Sequence, residues 1–281
     1  MQKTWLITGV SSGFGLAMTK QLLAKGDRVV GTVRKDKNVR ELMEKYPNTF
    51  FRYFLDVTDT AAIKSLVEDA FDALGTIDVV VSNAGYGLFG AAEELSDEEV
   101  TQIIDTNLVG AIQLIRAAIP YFRKQQQGRF IQISSYGGQV AFPGNSMYHA
   151  TKWGIEGFCE SVAQELAPFN IGMTLIEPGG ARTEFRYGSA KVAKLMTEYN
   201  GNPAHAFLSM LDETNGLAPG DPEKMAARII ESAAIEPAPL RIVLGSQALA
   251  STIEVLQKRV TDFINQKETA ASTDIDSLNN N

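Results

Sequence analysis

Short runs of β-branched and other apolar residues alternate along the chain with longer segments in which apolar positions return every three to four residues. The short runs are Trp5–Thr8, Arg28–Val33, Phe51–Leu55, Val79–Ser82, Phe130–Ser134, Gly172–Ile176 and Leu240–Leu244. Runs of this length, bounded by turn residues, predict strands. The longer segments, such as Leu16–Ala24, Ala61–Leu74 and Asp97–Phe122, carry a helical period. Strand and helix taking turns predict an α/β fold: one domain with a doubly wound parallel sheet flanked by helices on both faces.

Several boundaries carry their own chemistry. Ser96 with Glu99 is a capping-box pair opening the Asp97 helix. Asp221-Pro222 places a side-chain acceptor before a proline suited to the first helical position. Pro120 is expected to kink or end its helix. The rhythm breaks between Ile176 and Pro222. Two apolar-periodic stretches lie there, around Ala190–Tyr199 and Ala206–Leu211, separated by Asn200-Gly201-Asn202-Pro203. A long insertion in a compact fold predicts a binding lid, over about 185–220 of a domain running from 1 to 267. Residues 268–281 are polar and are expected to form a flexible tail.

Composition narrows the picture. The chain has 281 residues, 44% hydrophobic and 21% charged, which suits an ordinary globular core. Its net charge of −7 argues against a nucleic-acid partner, since phosphate neutralisation needs a basic surface. One cysteine, Cys159, leaves no intrachain disulfide and suits a reducing compartment. The N-terminal apolar run is too short for a signal peptide, and no stretch reads as a membrane span, so a cytoplasmic protein without a membrane partner is expected. No His, Cys or carboxylate cluster has metal-ligand spacing, so no metal is expected.

Two places carry candidate chemistry. Thr8 to Gly15 reads TGVSSGFG between a strand and a helix. Gly9, Gly13 and Gly15 permit a tight turn, and Ser11, Ser12 and Phe14 complete it before a helix N-terminus that can hold a pyrophosphate. The spacing GxxxGxG departs from the GxGxxG fingerprint. The second strand ends in Arg34 and Lys35 with no acid at its tip. A guanidinium there suits a 2′-phosphate, which predicts NADP (NADPH) rather than NAD. Further on, Tyr148 and Lys152 stand four apart on one helix face, thirteen residues after Ser135 at a strand end. A neighbouring ammonium is expected to lower the tyrosine pKa toward a range useful for proton transfer, with Ser135 donating to a substrate oxygen. His149, adjacent to Tyr148, is expected to face elsewhere.

With these residues together, the chain resembles the short-chain dehydrogenase/reductase family over roughly residues 4 to 265. Beyond the glycine turn and Tyr148-x-x-x-Lys152, it carries Asn83-Ala84-Gly85 after the fourth strand and Asp56-Val57 after the third. The resemblance implies a Rossmann-like fold and a Ser–Tyr–Lys–Asn tetrad of Ser135, Tyr148, Lys152 and Asn107. It makes Asp56 the acid beside adenine and Thr183, in Pro178-Gly179-Gly180-Ala181-Arg182-Thr183, the partner of the nicotinamide carboxamide. It also implies hydride exchange with a small-molecule carbonyl or alcohol, and a homodimer or homotetramer through the helices near 97–122 and 148–167. Tyr86, Phe89, Gln139, Phe142, Phe185, Met196 and Phe207 are expected to line a hydrophobic substrate pocket. The alternatives are a non-catalytic NADP-sensing protein of the same fold and a nucleotide-sugar epimerase, for whose larger C-terminal domain the chain has little room.

Overall fold

The computed structural model describes residues 2–36, 38–213 and 217–275. All seven expected strands form, within two residues of their expected ends: β1 (Thr4–Ile7), β2 (Arg28–Val33), β3 (Phe50–Phe54), β4 (Val79–Ser82), then, after a two-residue β5 (Leu88–Phe89), β6 (Gly128–Ile133) and β7 (Ile171–Pro178). A second two-residue strand, β8 (Lys191–Val192), precedes the last, β9 (Arg241–Leu244). The main sheet is parallel throughout, in the order β3-β2-β1-β4-β6-β7-β9. Successive side chains alternate between its two faces, as a strand requires. Ile7, Val79 and Val81 face one apolar layer, while Leu6 and Val80 face the other. Both faces are therefore buried, which is why the strands read as continuous apolar runs.

The helices supply the two layers. α1 (Gly13–Ala24), α2 (Arg40–Lys45) and, later, α8 (Pro222–Ser232) cover the first, packing Met18, Leu22, Leu42 and Ile229 on the sheet. α3 (Thr60–Leu74), α5 (Gly110–Gln125) and α6 (Ser146–Leu166) cover the second with Ile63, Leu114, Phe122 and Ile155. α4 (Asp97–Ile104) starts with the expected box: the Ser96 hydroxyl accepts from the Glu99 N–H at 3.2 Å and the Glu99 carboxylate from the Ser96 N–H at 3.0 Å. Asp221 caps α8 as expected, accepting from the N–H groups of Glu223 and Lys224.

Pro120 does not end its helix, which runs on to Gln125. Burial of Ala118 and Phe122 against α3 offsets the lost hydrogen bond, a cost of about 3 kcal/mol. The run from Asp97 to Gln125, continuous through a π turn at Asp105–Val109, is by length and composition apolar enough to cross a membrane, contrary to expectation. Here its apolar face is spent on the core.

The irregular segment after β7 contains a π turn at Phe185–Ser189, β8, a 3₁₀ turn at Thr197–Tyr199 and α7 (Pro203–Glu213). The stretch around Ala190–Tyr199 is thus not helical. Its Lys191 and Ala193 N–H groups instead bond Gly87 and Phe89 carbonyls at 2.8 Å, joining β8 to β5. After β9 come α9 (Ser246–Ile264) and α10 (Lys267–Ala271). α10 occupies the start of the expected tail; residues 276–281 lie outside the described ones.

The sheet order reverses direction between β1 and β4. Loops leaving those two strands diverge to opposite faces and open a crevice at the carboxyl edge, where ligands bind in open α/β sheets.

Candidate active site

The glycine turn lies in that crevice, tied down from both sides. The Gly9 and Val10 N–H groups bond the Thr32 carbonyl at 3.1 and 3.0 Å, fixing the turn to β2. Across the crevice the Asn83 carboxamide donates to the Thr8 and Gly9 carbonyls at 2.8 and 3.1 Å, and the Thr8 hydroxyl accepts from the Asn83 and Ala84 N–H groups. Asn83-Ala84-Gly85 thus braces the turn. Gly9 adopts φ of +73°, the left-handed region. Gly15 leaves no room for a side chain: a Cβ there would stand 2.2 Å from the Gly9 carbonyl oxygen and 2.7 Å from Asn83 Nδ2. Ser12, at the N-cap of α1, makes no side-chain cap bond, and the first turn holds no acid. Free N–H groups and the positive helix end face the crevice, the arrangement that suits a pyrophosphate. The chain therefore fits a dinucleotide here.

A cavity of about 1010 Å³ runs from the turn to the strand ends. Gly9, Ser11, Ser12, Gly13, Phe14, Arg34, Asp56, Val57, Asn83, Ala84, Gly85, Tyr148, Lys152, Pro178, Gly179 and Thr183 all line it; Gly15 packs behind. Arg34 is exposed at the tip of β2. Asp56 accepts from the N–H and hydroxyl of Thr58. These bonds, with help from the charge of Arg34, hold its carboxyl below the usual range. Among the residues sequence reasoning passed over, Thr32 and Thr8 shape the turn, and Asn145, three before Tyr148, lines the cavity with a buried, unpartnered Oδ1. Position relative to Tyr148 was the one available signal for it.

At the far end, Ser135, Tyr148 and Lys152 come together. The Ser135 Oγ accepts from the Gly137 N–H at 3.0 Å, and its hydrogen bond to Tyr148 favours the phenolate. Burial nevertheless dominates and pushes the Tyr148 phenol up to about 12, not down as expected. Lys152 has its Nζ 5.6 Å from the Tyr148 ring centre and donates to the Ile133 carbonyl at 2.9 Å. Burial brings this lysine down to about 8, against an opposing pull from Glu156. The same desolvation that raises the phenol thus weakens the ammonium meant to lower it.

Asn107 lies one layer back, outside the cavity lining. Its carboxamide clamps the Tyr86 main chain, accepting from the N–H at 3.0 Å and donating to the carbonyl at 2.8 Å. Its Nδ2 also reaches the Thr151 hydroxyl on α6 at 3.4 Å, so Asn107 ties the Tyr86 loop to that helix. His149 does face the cavity, against expectation. Its Nε2 accepts from the Phe142 N–H at 2.9 Å, so Nδ1 carries the proton and donates to the Gly137 carbonyl at 2.7 Å. The ring pins the Gly137–Phe142 loop in this way. Tyr86, Phe89, Phe142, Phe185 and Phe207 line the cavity as expected. Gln139 and Met196 do not: Gln139 donates to the Glu156 carboxylate and the Met196 N–H to Glu94.

The short chain dehydrogenase family matches residues 3–193. The chain is 35% identical over 250 residues to an oxidoreductase of Botryotinia fuckeliana, covering 89% of this chain and 91% of that one. It is 35% identical over 246 residues to a 3-ketodihydrosphingosine reductase of Bacteroides thetaiotaomicron, covering 85% and 87%. The crystal structure of a short-chain dehydrogenase from Streptomyces avermitilis superposes with a TM-score of 0.91 at 34% identity, over 98% of this chain and 100% of that one. The chain belongs to the short-chain dehydrogenase family, and its activity is that of an oxidoreductase acting on a small molecule.

Proposed function

We propose that the protein is an NADP(H)-dependent carbonyl reductase, reversible in principle, working on a hydrophobic ketone or aldehyde. The observation that carries this reading is the Ser135 hydroxyl held against the Tyr148 phenol beside Lys152, at one end of the cavity that begins at the glycine turn. The bound dinucleotide supplies the hydride. Ser135 holds and polarises the carbonyl oxygen, and Tyr148 gives it a proton, a transfer suited to a phenol protonated at neutral pH. Lys152 holds the nicotinamide ribose and favours the phenolate left behind. Thr183, near the end of the β7 turn, receives the carboxamide, and Asp56 the adenine.

Arg34 supports NADPH over NADH, because it stands where an NAD-binding acid would otherwise stand. Phe142 and Phe207, stacked with ring centres 5.3 Å apart, support an apolar substrate. The ketone reductase among the relatives agrees in reaction type. The segment over 185–220 contributes Phe185, Phe207 and Leu211 to the cavity and serves as its lid. A reducing cytoplasm, where NADPH is kept reduced, suits a chain whose one cysteine is buried and free.

A paired titration with NADPH and NADH tests the cofactor. NADPH is expected to bind at least tenfold tighter, and Arg34→Ala to erase most of that margin, as expected for a charged hydrogen bond worth about 1.5–3 kcal/mol. Equal affinities in the unmodified protein remove the phosphate-reading role. For the chemistry, Tyr148→Phe is expected to lower turnover of an aromatic ketone by about 10²–10⁴ while leaving NADPH binding unchanged. Retained turnover ends the assignment.

A further inference from the structure

The fold buries one face of α9 and leaves another bare. Ala248 and Thr252 are buried on the body of the protein, with Val255 and Arg259 half-buried along the same line. Arg259 lays its guanidinium 4.5 Å from the ring centre of Trp153 on α6. One residue further round lies a second apolar line: Leu249, Ile253, Leu256, Val260 and Phe263, joined by Ile264. These side chains are 40 to 69% exposed. Their spacing of four, three, four and three is the narrow seam by which one helix packs along another.

At these exposures the seam and Trp153 present roughly 600 Å² of apolar side chain, at or above the largest patch an ordinary monomer carries. From Val260 onward every described residue is exposed, so the distal turns of α9 lack support from their own chain. The charged groups on the helix are Glu254, Lys258, Arg259 and Asp262, two of each sign. A balanced helix gains nothing from an anionic lipid surface, which draws basic ones.

We propose that this face of α9 joins two copies of the chain, the helices lying antiparallel about a two-fold axis between Leu256 and Gln257. That register sets Leu249 against the partner's Ile264 and Ile253 against the partner's Val260. The unsupported end of each helix thereby rests on the anchored start of the other. Both copies together remove about 1,200 Å², which reaches the lower edge of stable protein interfaces. The seam itself lies on α9, outside the helices near 97–122 and 148–167 that family resemblance suggests, with Trp153 of α6 at its edge.

Sedimentation velocity of the full chain is the first test, with cysteine cross-linking beside it. Ile253→Glu with Val260→Glu is expected to halve the sedimenting mass; these positions are exposed, so circular dichroism stays unchanged. Because Cys159 is buried, Ile253→Cys with Val260→Cys should give a disulfide-linked dimer on a non-reducing gel with a silent background. A wild-type monomer at the 30.6 kDa chain mass overturns the proposal. So does an oligomer indifferent to the glutamates and without the cross-link. A monomer whose α9 face instead binds neutral phosphatidylcholine vesicles, and loses them with Ile253→Glu and Val260→Glu, assigns the face to lipid and overturns it too.

Discussion

Replacing Glu94 by glutamine should detach the cavity roof from the rest of the protein without unfolding it. The Glu94 carboxylate is wholly buried at the end of the 3₁₀ turn Ala92–Glu94. One oxygen accepts from the Ala91 N–H at 2.7 Å. The other accepts from the Met196 N–H and from His205 Nε2, both at 2.7 Å. A carboxylate only accepts, so Nε2 of His205 carries the proton. One side chain therefore holds the roof at two points, before the Thr197 turn and on α7. Burial alone would raise its pKa, but the bonds from Met196, Ala91 and His205 prevail and hold it below 4.5. Glutamine has the same shape and one acceptor. If its oxygen stays with Met196 and His205, its NH₂ meets the Ala91 N–H, losing one charge-assisted bond of about 1.5–3 kcal/mol. The two survivors weaken to neutral bonds, roughly half as strong, while relief from burying a charge offsets part of the loss. The net cost is about 2–3 kcal/mol, or roughly a thirty- to 150-fold rise in the detached population. Hydrogen exchange at the Met196 amide should accelerate by that factor, and KM for an apolar ketone should rise with NADPH affinity unchanged. The sign in pH follows from the depressed pKa: the Glu94 contribution is present above about 4.5 and lost as pH falls through the lower folded value. If Met196 exchanges at the wild-type rate in the variant, the carboxylate is not what holds the roof.

Two further substitutions test other parts of the structure. Gly15→Ala places a methyl 2.2 Å from the Gly9 carbonyl oxygen, which must push the turn off Asn83; NADPH affinity by fluorescence titration should fall at least tenfold, and an unchanged affinity contradicts the close approach. Glu177 is buried against Glu156, and burial first, then the Glu156 charge, pushes its carboxyl up to about 7, with Arg241 pulling the other way. Its proton-linked stability is fully present below the unfolded value near 4.5 and is lost as pH rises through about 7. Glu177→Gln, neutral throughout, should raise Tm at pH 8 far more than at pH 5; an equal gain at both shows that Glu177 is not protonated in the fold.

The sequence by itself determined the parts of this protein that depend on neighbours along the chain. Val79, Val80 and Val81 announce a strand buried on both faces because side-chain alternation is a property of any strand. Ser96 with Glu99, and Asp221 before Pro222, mark helix starts because their acceptors reach N–H groups two or three residues on. Tyr148 and Lys152 share a face by helical period, and the glycine turn is legible between its strand and helix. Tertiary structure decided the rest. Strand order set the crevice between β1 and β4, since nothing local says which strands become neighbours. Pro120 stays inside a helix because α3 packs beside it. Glu94 reaches His205 from 111 positions away, a distance no periodicity spans. Asn107 is turned to Tyr86, and Gln139 to Glu156, by partners the chain brings up only on folding. The phenol of Tyr148 rises and the ammonium of Lys152 falls for one reason: spacing places two ionisable groups together, but only the folded core decides how much water each one loses.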